Sequence, residues 1–439
     1  MKRQFSRFTT ISIVVANMVG TGVFTSLGFQ VMGITSGFTL LMLWLLGGLI
    51  SICGAFAYSE LGNLFPRSGG EYNFLSKIYH PALGFLAGWI SITVGFAAPI
   101  AAAAIAFGKY FSSSVRIESM LPSPIDHLSP SVILAIILII GLSLLHSFNK
   151  QAGAMFQNVM TIIKIVFILT LILFGLFYGG HSGLSFAPDL KAVKEMISPS
   201  FAISMFFVTY SYSGWNAAAY ITSEIKNPKK NIPLSLIVGT AFVTFLYISL
   251  SFVFLYSVPI PELSGQIEIG YIFAQKIMGV NAGTVMGLVI SFLLISSVSS
   301  MIIIGPRVYN AVGEDYKSYR WLSKKYNDTP SIAIIFQSII AIVFIITSTF
   351  ENVIILIGFT LNLFTFLTVL GVFVERRKHP LAERTYKTFG HPYTSAFFLL
   401  VNLWLLVYGF IYKPVQSLEG IGICLLGLVF YYINKRLHA

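Results

Sequence analysis

Residues 17–24 read Asn-Met-Val-Gly-Thr-Gly-Val-Phe and lie in the middle of the first long apolar segment of the chain. Residues 210–216, Tyr-Ser-Tyr-Ser-Gly-Trp-Asn, lie in the middle of the sixth apolar segment. Both stretches put glycine and small polar residues at a depth where a membrane helix usually carries leucine. Glycine costs about 1 kcal/mol relative to alanine inside a helix. Because irregular backbone at mid-membrane depth must line a cavity or be buried in protein, the two stretches predict two interrupted helices.

The composition determines the class of protein to which these helices belong. Apolar residues make up 56% of the 439 residues and charged residues only 10%, whereas soluble domains carry about 25% charged residues. This excludes soluble and disordered chains, and the unbroken apolar runs exclude a β-barrel, in which apolar and polar residues alternate. The two cysteines, Cys53 and Cys424, lie in apolar runs. They provide neither a disulfide framework nor a metal site, so we expect no cofactor and no bound metal.

A helix needs about 20 apolar residues to cross a bilayer, and the chain contains twelve candidate spans. The sequence therefore predicts an all-α polytopic membrane protein with 12 transmembrane helices. The candidates are centred on residues 11–33, 38–62, 83–107, 131–148, 156–178, 200–222, 234–258, 281–305, 332–349, 352–374, 393–412 and 418–433.

The interrupted spans occupy corresponding places in two sets of five. Their separation matches the separation between the ends of the fifth and tenth spans, which is typical of a 5+5 inverted-repeat transporter. We therefore expect a first repeat at residues 1–178, a second repeat at 197–376, and two further spans at 377–439. A single break would favour close helix packing between small residues. Two breaks at matching positions favour a binding site instead.

The positive charges predict the orientation. Most of the 28 Lys and Arg residues fall in segments on the same side as the N-terminal Lys2 and Arg3. Because cytoplasmic loops are enriched in Lys and Arg, both termini are expected in the cytoplasm and the protein in the plasma membrane. The net charge of +12 is thus explained without a nucleic acid partner.

Helix breaks of this kind suit a zwitterion. Bare amides at the start of a half-helix attract a carboxylate, and bare carbonyls at the end of a half-helix accept hydrogen bonds from an ammonium group. Gly20, Thr21 and Gly22 would supply amides, and Met18 and Tyr210 would supply carbonyls. The neighbouring residues Ser211, Ser213 and Gly214 complete the candidate substrate site.

Four stretches of the chain resemble the amino acid–polyamine–organocation superfamily, in its L-type and bacterial amino acid permease branch. They are the break at 19–24 (Val-Gly-Thr-Gly-Val-Phe), the segments 58–62 (Tyr-Ser-Glu-Leu-Gly) and 66–72 (Pro-Arg-Ser-Gly-Gly-Glu-Tyr), the break at 212–216 with the segments 224–228 and 231–233 that follow it, and Lys164. The resemblance covers most of residues 8–376. It implies an L-amino acid held between spans one and six, with Tyr210 as an outer gate. Many L-type members have Gly-Gly-Trp where this chain has Ser213-Gly214-Trp215, which favours small, neutral substrates.

Lys164 is a deeply placed cation in the fifth span. The resemblance implies that its ammonium group replaces a sodium ion that ties span one to span eight in related transporters. Lys164 would then donate to a carbonyl near Gly20 and to Ser299 or Ser300. It could instead be a structural or snorkelling lysine, or carry a coupling proton.

The leading interpretation is a sodium-independent secondary transporter of L-amino acids that works by alternating access. A proton-coupled amino acid or polyamine symporter is the alternative. A channel or receptor would favour rings of charge or carbonyl filters, and an enzyme would need intramembrane catalytic groups; the spans contain neither pattern. Because neither cysteine is expected outside the membrane, no covalent heavy-chain partner is expected, and the protein would be a monomer or weak oligomer.

A cluster of charges near the end of span eight suggests a gate. Arg307, with Glu314 and Asp315, could close the inner side together with the N-terminal arm. A cluster of solvated charges is the simpler interpretation, and the sequence does not decide between them.

Overall fold

The protein is all-helical in the part of the chain that the structure, a computed structural model, describes: residues 5–115, 117, 129–148, 151–326 and 329–438. Ten of its helical segments are long and apolar enough to cross a membrane, so the predicted polytopic helical class is confirmed. The other two predicted spans correspond to the shorter helices Pro199–Tyr212 and Ser331–Thr347. Lys2 and Arg3, which contribute to the predicted orientation, lie outside the described residues.

The described helices differ widely in length. In chain order they are α1 Arg7–Met18, α2 Gly22–Gln30, α3 Gly37–Leu64, α4 Glu71–Ile78, α5 Pro81–Ile90, α6 Ala97–Val115, α7 Pro130–Phe148, α8 Gln151–Tyr178, α9 Leu190–Met196, α10 Pro199–Tyr212, α11 Ala217–Tyr220, α12 Pro228–Ser257, α13 Ile260–Leu263, α14 Ile269–Met278, α15 Val280–Asp315, α16 Ser331–Thr347, α17 Phe350–Lys378, α18 Tyr393–Tyr412 and α19 Pro414–His438. A π-helical turn, Ser91–Gly95, joins α5 to α6.

Helix ends fall where capping residues lie. Ser198 accepts a hydrogen bond from the Phe201 amide at 3.3 Å, and Pro199 follows at the first helical position. Ser36 caps α3 in the same way through Thr39. Hydroxyl caps and a first-turn proline satisfy or remove amides that would otherwise lack partners. These local signals set the starts of helices that the apolar pattern alone locates only roughly.

Several helices extend beyond the predicted apolar spans. α15 runs to Asp315, whereas the sequence predicted an end near residue 305. α12 begins at Pro228 instead of near 234. Backbone hydrogen bonding continues past the hydrocarbon core because a helix does not need apolar side chains once it reaches the interface. The apolar pattern therefore locates the membrane part of each helix and underestimates its length.

The core lies where the interrupted helices meet the surrounding ones. α12 packs along α1 and α3, and α15 packs along α6. Large apolar side chains are exposed on the outer faces of α8, α16, α18 and α19, including Leu173, Ile339, Leu400 and Val429. Exposed apolar surface of this extent is typical of contact with lipid.

Candidate functional site

The helix of the first span ends at Met18 and resumes at Gly22. The Gly20 amide turns back to the Met18 carbonyl at 2.7 Å, and the Phe24 amide donates to the Thr21 carbonyl at 2.9 Å. Among the described residues, the amides of Thr21 and Gly22 have no backbone hydrogen-bond acceptor. These two buried amides at the start of α2 are a local concentration of positive charge.

The sixth span is interrupted in the same way. α10 ends at Tyr212, residues 213–216 form turns, and the short helix α11 follows. Gly214 has φ +98°, a conformation that costs glycine little. A Cβ at Gly214 would lie 2.8 Å from the carbonyl carbon of Asn17, so this turn contacts the end of α1 directly.

The two interrupted spans are tightly packed where the start of α2 lies against α10. A Cβ on Gly22 would lie 2.5 Å from the Cα of Ser211, so only glycine permits this approach. The Ser211 hydroxyl contacts the Ser26 hydroxyl at 2.9 Å, and the Thr21 hydroxyl contacts the Tyr210 hydroxyl at 2.6 Å. The start of α2 is therefore covered by α10.

A cavity of about 110 Å³ lies beside the second break. Of the predicted substrate residues, Tyr210, Ser213 and Gly214 line it. Met18, Gly20, Thr21, Gly22 and Ser211 do not line it. Met18, Thr21, Gly22 and Ser211 are buried, and the Thr21 hydroxyl is bonded to Tyr210, whereas Gly20 is only partly buried. The Tyr210 hydroxyl thus stands between the cavity and the two free amides.

The cavity wall is mostly apolar, with polar side chains at several points. Asn17, Ser51, Asn362 and Asn402 line it together with Ser91 of the π-helical turn. π-Turns occur often at functional sites because they displace side chains from the regular helical positions. A mostly apolar cavity with a few polar groups is typical of a small-molecule site.

Glu71 is a functional candidate that the sequence reasoning missed. Its carboxylate lines the cavity, is only 5% exposed, and accepts hydrogen bonds from Tyr58 at 2.7 Å and Asn216 at 2.6 Å. Tyr220 donates to its second oxygen. The sequence placed Glu71 in a loop after the second span, where an acidic residue is normally solvated. Only the packing of α4 against α11 reveals its burial.

Lys164 lies beside the break in the first span and is buried, with 2% of its surface exposed. Its ammonium group donates to the Val19 carbonyl at 3.1 Å and to the Ser297 hydroxyl at 2.8 Å. Lys164 therefore contacts both the end of α1 and α15. The serine differs, however. The hydroxyl of Ser299 is bonded to His146 at 2.8 Å, and that of Ser300 donates to the Ser297 carbonyl at 3.1 Å, so neither contacts Lys164.

Ionic contacts lie on the membrane face that carries the N-terminus, called here the N-terminal face. Arg67 binds Asp315 at 2.9 Å, and Arg307 binds Glu224 at 3.1 Å. The sequence had grouped Arg307 with Asp315 and Glu314. α15 instead directs Arg307 toward the turn after α11 and leaves Asp315 for Arg67. Burial and the neighbouring Asp315 carboxylate raise the pKa of Tyr72 well above its ordinary value, so its phenol donates to Asp315.

The N-terminal arm joins the same face. Phe5 forms a short parallel bridge with Ile225, in which its amide donates to the Glu224 carbonyl at 3.0 Å. The Lys226 amide donates to the Phe5 carbonyl at 2.9 Å. Phe5 is therefore fixed to the segment that follows α11.

Taken together, the fold and the site define a polytopic helical membrane protein in which two interrupted helices meet beside a mainly apolar cavity. The family model described as amino acid permease matches residues 5–431. The chain belongs to this family, part of the superfamily indicated by the sequence motifs, and is a membrane transporter and not an enzyme.

Three relatives illustrate the range of the similarity. The chain is 26% identical to the b(0,+)-type amino acid transporter 1 of Mus musculus, covering 99% of this chain and 88% of that protein. It is 25% identical to the large neutral amino acids transporter small subunit 2 of Homo sapiens, covering 99% and 81%. It is 26% identical to the serine/threonine exchanger SteT of Bacillus subtilis (strain 168), covering 99% and 98%.

Proposed function

We propose that the protein exchanges small neutral L-amino acids across the plasma membrane by alternating access and without sodium. The observation that carries this proposal is the position of Lys164, whose ammonium group joins the Val19 carbonyl at the first break to Ser297. A fixed internal cation at this place removes the need for a bound metal cation. The name of the bacterial relative, a serine/threonine exchanger, supports exchange and a small substrate.

The substrate carboxylate binds the free amides of Thr21 and Gly22 in this proposal. Tyr210 must first turn away from Thr21, which makes it the gate between the cavity and these amides. Gly20 contributes through its lack of a side chain, because its amide is bonded to the Met18 carbonyl.

The ammonium group of the substrate binds on the other side of the break. The Met18 carbonyl already accepts two hydrogen bonds, from the Gly20 amide and the Tyr247 hydroxyl. The Tyr210 carbonyl accepts one, from the Ser213 amide at 2.9 Å. Since a carbonyl can accept two hydrogen bonds, Tyr210 is the better acceptor. Ser213 and Gly214 would then contact the substrate side chain, and Ser211 would position Tyr210.

Proton-coupled symport is a second candidate because of one observation. The Glu71 carboxylate lines the cavity, is almost fully buried, and is bonded only to neutral donors among the described residues. An uncompensated buried carboxylate favours either a cation or a proton as its partner. Proton symport would use Glu71, with or without Lys164.

The deciding experiment is transport into proteoliposomes that contain the full chain. Labelled serine uptake is measured into vesicles that hold unlabelled serine or no amino acid, in sodium or in potassium, with and without a pH gradient. Competition by all twenty amino acids identifies the accepted side chains. We expect uptake that requires internal amino acid and is equal in sodium and potassium.

Each other outcome rejects a part of the proposal. Uptake that scales with sodium rejects the role of Lys164 as a sodium substitute. Accumulation in empty vesicles under a pH gradient supports proton symport instead of exchange. No uptake of any amino acid rejects amino acid transport.

We further propose that both termini face the cytoplasm and that the protein functions without a covalent heavy chain. Cys53 lies within α3 and Cys424 within α19, both partly buried, which places neither in a loop open to a partner. Non-reducing electrophoresis of the protein purified from its native membrane tests this, because a linked partner would give a larger species that reductant converts to the single chain.

A further inference from the structure

A groove lies between α17 and α18, which pack against each other. It has a volume of about 240 Å³ and is lined by Leu370, Phe373, Val374 and Arg377 of α17 and by Leu399 of α18. The residues from α17 are spaced at i, i+3, i+4 and i+7, so they share one face of the helix. The lining is therefore apolar except for one guanidinium group at its end.

The groove opens on the outer surface of the protein and is separate from the cavity beside the second break. Within the described chain, no residue lines both. α18 directs Phe398 into the cavity and leaves Leu400 67% exposed on the outside. Leu399 lies between these two positions. Because exposed apolar surface on a membrane span faces acyl chains, the groove is open to the hydrocarbon part of the bilayer.

The basic end of α17 lies on the N-terminal face. Arg376 binds the Glu60 carboxylate of α3 at 2.7 Å, and Lys378 donates to the Ile78 carbonyl at the end of α4 at 2.8 Å. The connection between α3 and α4 carries Arg67, which belongs to the ionic contacts of that face. The mouth of the groove is therefore at the boundary of the membrane on the N-terminal face.

Arg377 differs from the two basic residues beside it. Arg376 and Lys378 are bound to protein atoms, whereas Arg377 is exposed and has no ion pair or side-chain hydrogen bond within the described part of the chain. Leu370 lies seven residues earlier, about 10 Å along the helix. A free cation thus lies at the membrane boundary, and an apolar channel runs from it into the bilayer.

A phospholipid has both parts that this arrangement requires. A guanidinium group binds phosphate oxygens through two parallel hydrogen bonds, and an acyl chain fits a groove that offers no polar partner. Basic pockets between transmembrane helices bind anionic headgroups in this way. Phe389 and Tyr393, at the start of α18, are 68% and 82% exposed, as is typical of aromatic side chains at the level of the headgroups.

We propose that the groove binds one anionic phospholipid, with its phosphate on Arg377 and one acyl chain between α17 and α18. A zwitterionic lipid fits less well, because its own cation repels the guanidinium group. The site is independent of amino acid exchange. The same two helices line the cavity through Thr365 and Asn402, so the lipid would support two walls of the cavity from the outside.

The experiment measures lipid binding to the delipidated full chain by native mass spectrometry. The probes are anionic dioleoylphosphatidylglycerol, zwitterionic dioleoylphosphatidylcholine with the same chains, and glycerophosphate, which has no chains. Arg377→Gln removes the cation, and Arg320→Gln is its control, because Arg320 is also exposed but does not line the groove. Leu370→Trp fills the groove, and Leu400→Trp places the same ring on the outer surface of α18.

We expect the first phosphatidylglycerol to bind about fivefold more tightly than phosphatidylcholine, the factor that corresponds to about 1 kcal/mol for one basic side chain at an anionic lipid. Arg377→Gln should abolish this preference. Leu370→Trp should weaken the binding of phosphatidylglycerol by a similar factor. Arg320→Gln and Leu400→Trp should leave both affinities unchanged, and glycerophosphate should not displace the lipid.

Each alternative occupant gives a different result. Equal affinity for the two lipids, or equal effects of Arg377→Gln and Arg320→Gln, overturns a specific anionic site. Displacement by glycerophosphate means that the guanidinium group binds free phosphate, and a dimer that Leu370→Trp dissociates means that a second copy covers the groove; both overturn the proposal. If Leu370→Trp does not fold, short-chain dihexanoylphosphatidylglycerol replaces it as the test. Weaker binding of this lipid supports the proposal, and equal binding overturns it.

Discussion

Gly214 combines two constraints at the second break. Its φ is +98°, and a Cβ there would meet the Asn17 backbone at 2.8 Å. Gly214→Ala adds backbone strain and forces α1 away from the turn. We expect a loss of about 3 kcal/mol of unfolding free energy, since strain and overpacking each cost about 1–3 kcal/mol. Denaturant unfolding in detergent measures the loss, and serine exchange should fall at least tenfold.

Gly265 is the control for this substitution. Its φ is +73°, and no atom lies within 4 Å of a Cβ placed on it. Gly265→Ala therefore introduces strain without a clash, at about 1–2 kcal/mol. Equal losses for the two variants would mean that the contact between Gly214 and Asn17 contributes nothing.

Lys164→Ala removes the cation at the first break. The Val19 carbonyl and the Ser297 hydroxyl then lose their hydrogen-bond partner. Leaving one buried polar group without its partner costs about 1–3 kcal/mol of stability. We expect serine exchange to fall at least tenfold. Lys276→Ala is the control, because Lys276 is half-exposed and pairs with Glu262 at the surface. A Lys164→Ala protein that exchanges serine at more than half the normal rate would contradict the proposed role.

The sequence was sufficient to predict which helices contribute to the site. It was not sufficient to predict how each helix is rotated about its axis, and therefore which side chains face the site. The depth of Lys164 marked it as unusual, and the resemblance to the superfamily implied its link to the eighth span. Four of the five serines in that span, at 296, 297, 299 and 300, together point around most of one helical turn. Which of them faces Lys164 depends on how α15 packs against α6, and no local pattern encodes it.

In the interrupted helices, too, the local sequence indicates where a helix ends, whereas the packing around the break depends on tertiary contacts. Glycine and small polar residues mark where a helix stops, so α1 and α10 end close to the predicted breaks. No local pattern indicated that the sixth span continues only as Ala217–Tyr220 and the short 3₁₀ helix Thr222–Glu224. The burial of Glu71 against this short segment was likewise hidden, because it arises from contact between α4 and α11.

A buried ion-pair cluster joins α3 to α17. Glu60 is 2% exposed and binds Arg376 at 2.7 Å and Arg384 at 3.2 Å, and it accepts the Thr388 amide at 2.7 Å. Glu60→Gln leaves two guanidinium groups without their carboxylate. Breaking a buried pair by removing one partner costs about 3–5 kcal/mol, and we expect a loss of this size in denaturant unfolding.

The surface pair of Glu262 and Lys276 tests whether burial is the cause. Both side chains are nearly half-exposed, and their atoms lie 2.6 Å apart. Exposed pairs contribute about 0–1 kcal/mol, so Glu262→Gln should change the unfolding free energy by less than 1 kcal/mol. If Glu60→Gln costs no more than Glu262→Gln, the cluster does not hold α3 to α17.

At the scale of the whole molecule, two sets of contacts adjoin the cavity. Toward the N-terminal face, the Ser68 hydroxyl contacts Ser223 at 2.6 Å, and the Gly70 amide donates to Ala219 at 3.3 Å. In the second set, Tyr210 lines the cavity and its hydroxyl contacts Thr21 at the start of α2. The alternating access proposed above requires each set to open in turn, so we infer that the α3–α4 connection separates from the α11 segment when substrate leaves toward the N-terminal face.

A reversible cross-link tests this motion. In a background with Cys53 and Cys424 replaced by Ala, Ser68→Cys and Ser223→Cys together should form a disulfide under mild oxidant, because their hydroxyls are in contact. We expect oxidation to stop serine exchange and reductant to restore it. The control pair is Ser143→Cys and Ser338→Cys, whose hydroxyls lie 2.5 Å apart between α7 and α16. α7 and α16 pack against each other and against α6, so their cross-link should leave exchange unchanged. Continued exchange by the oxidised Ser68–Ser223 pair would mean that this face opens elsewhere.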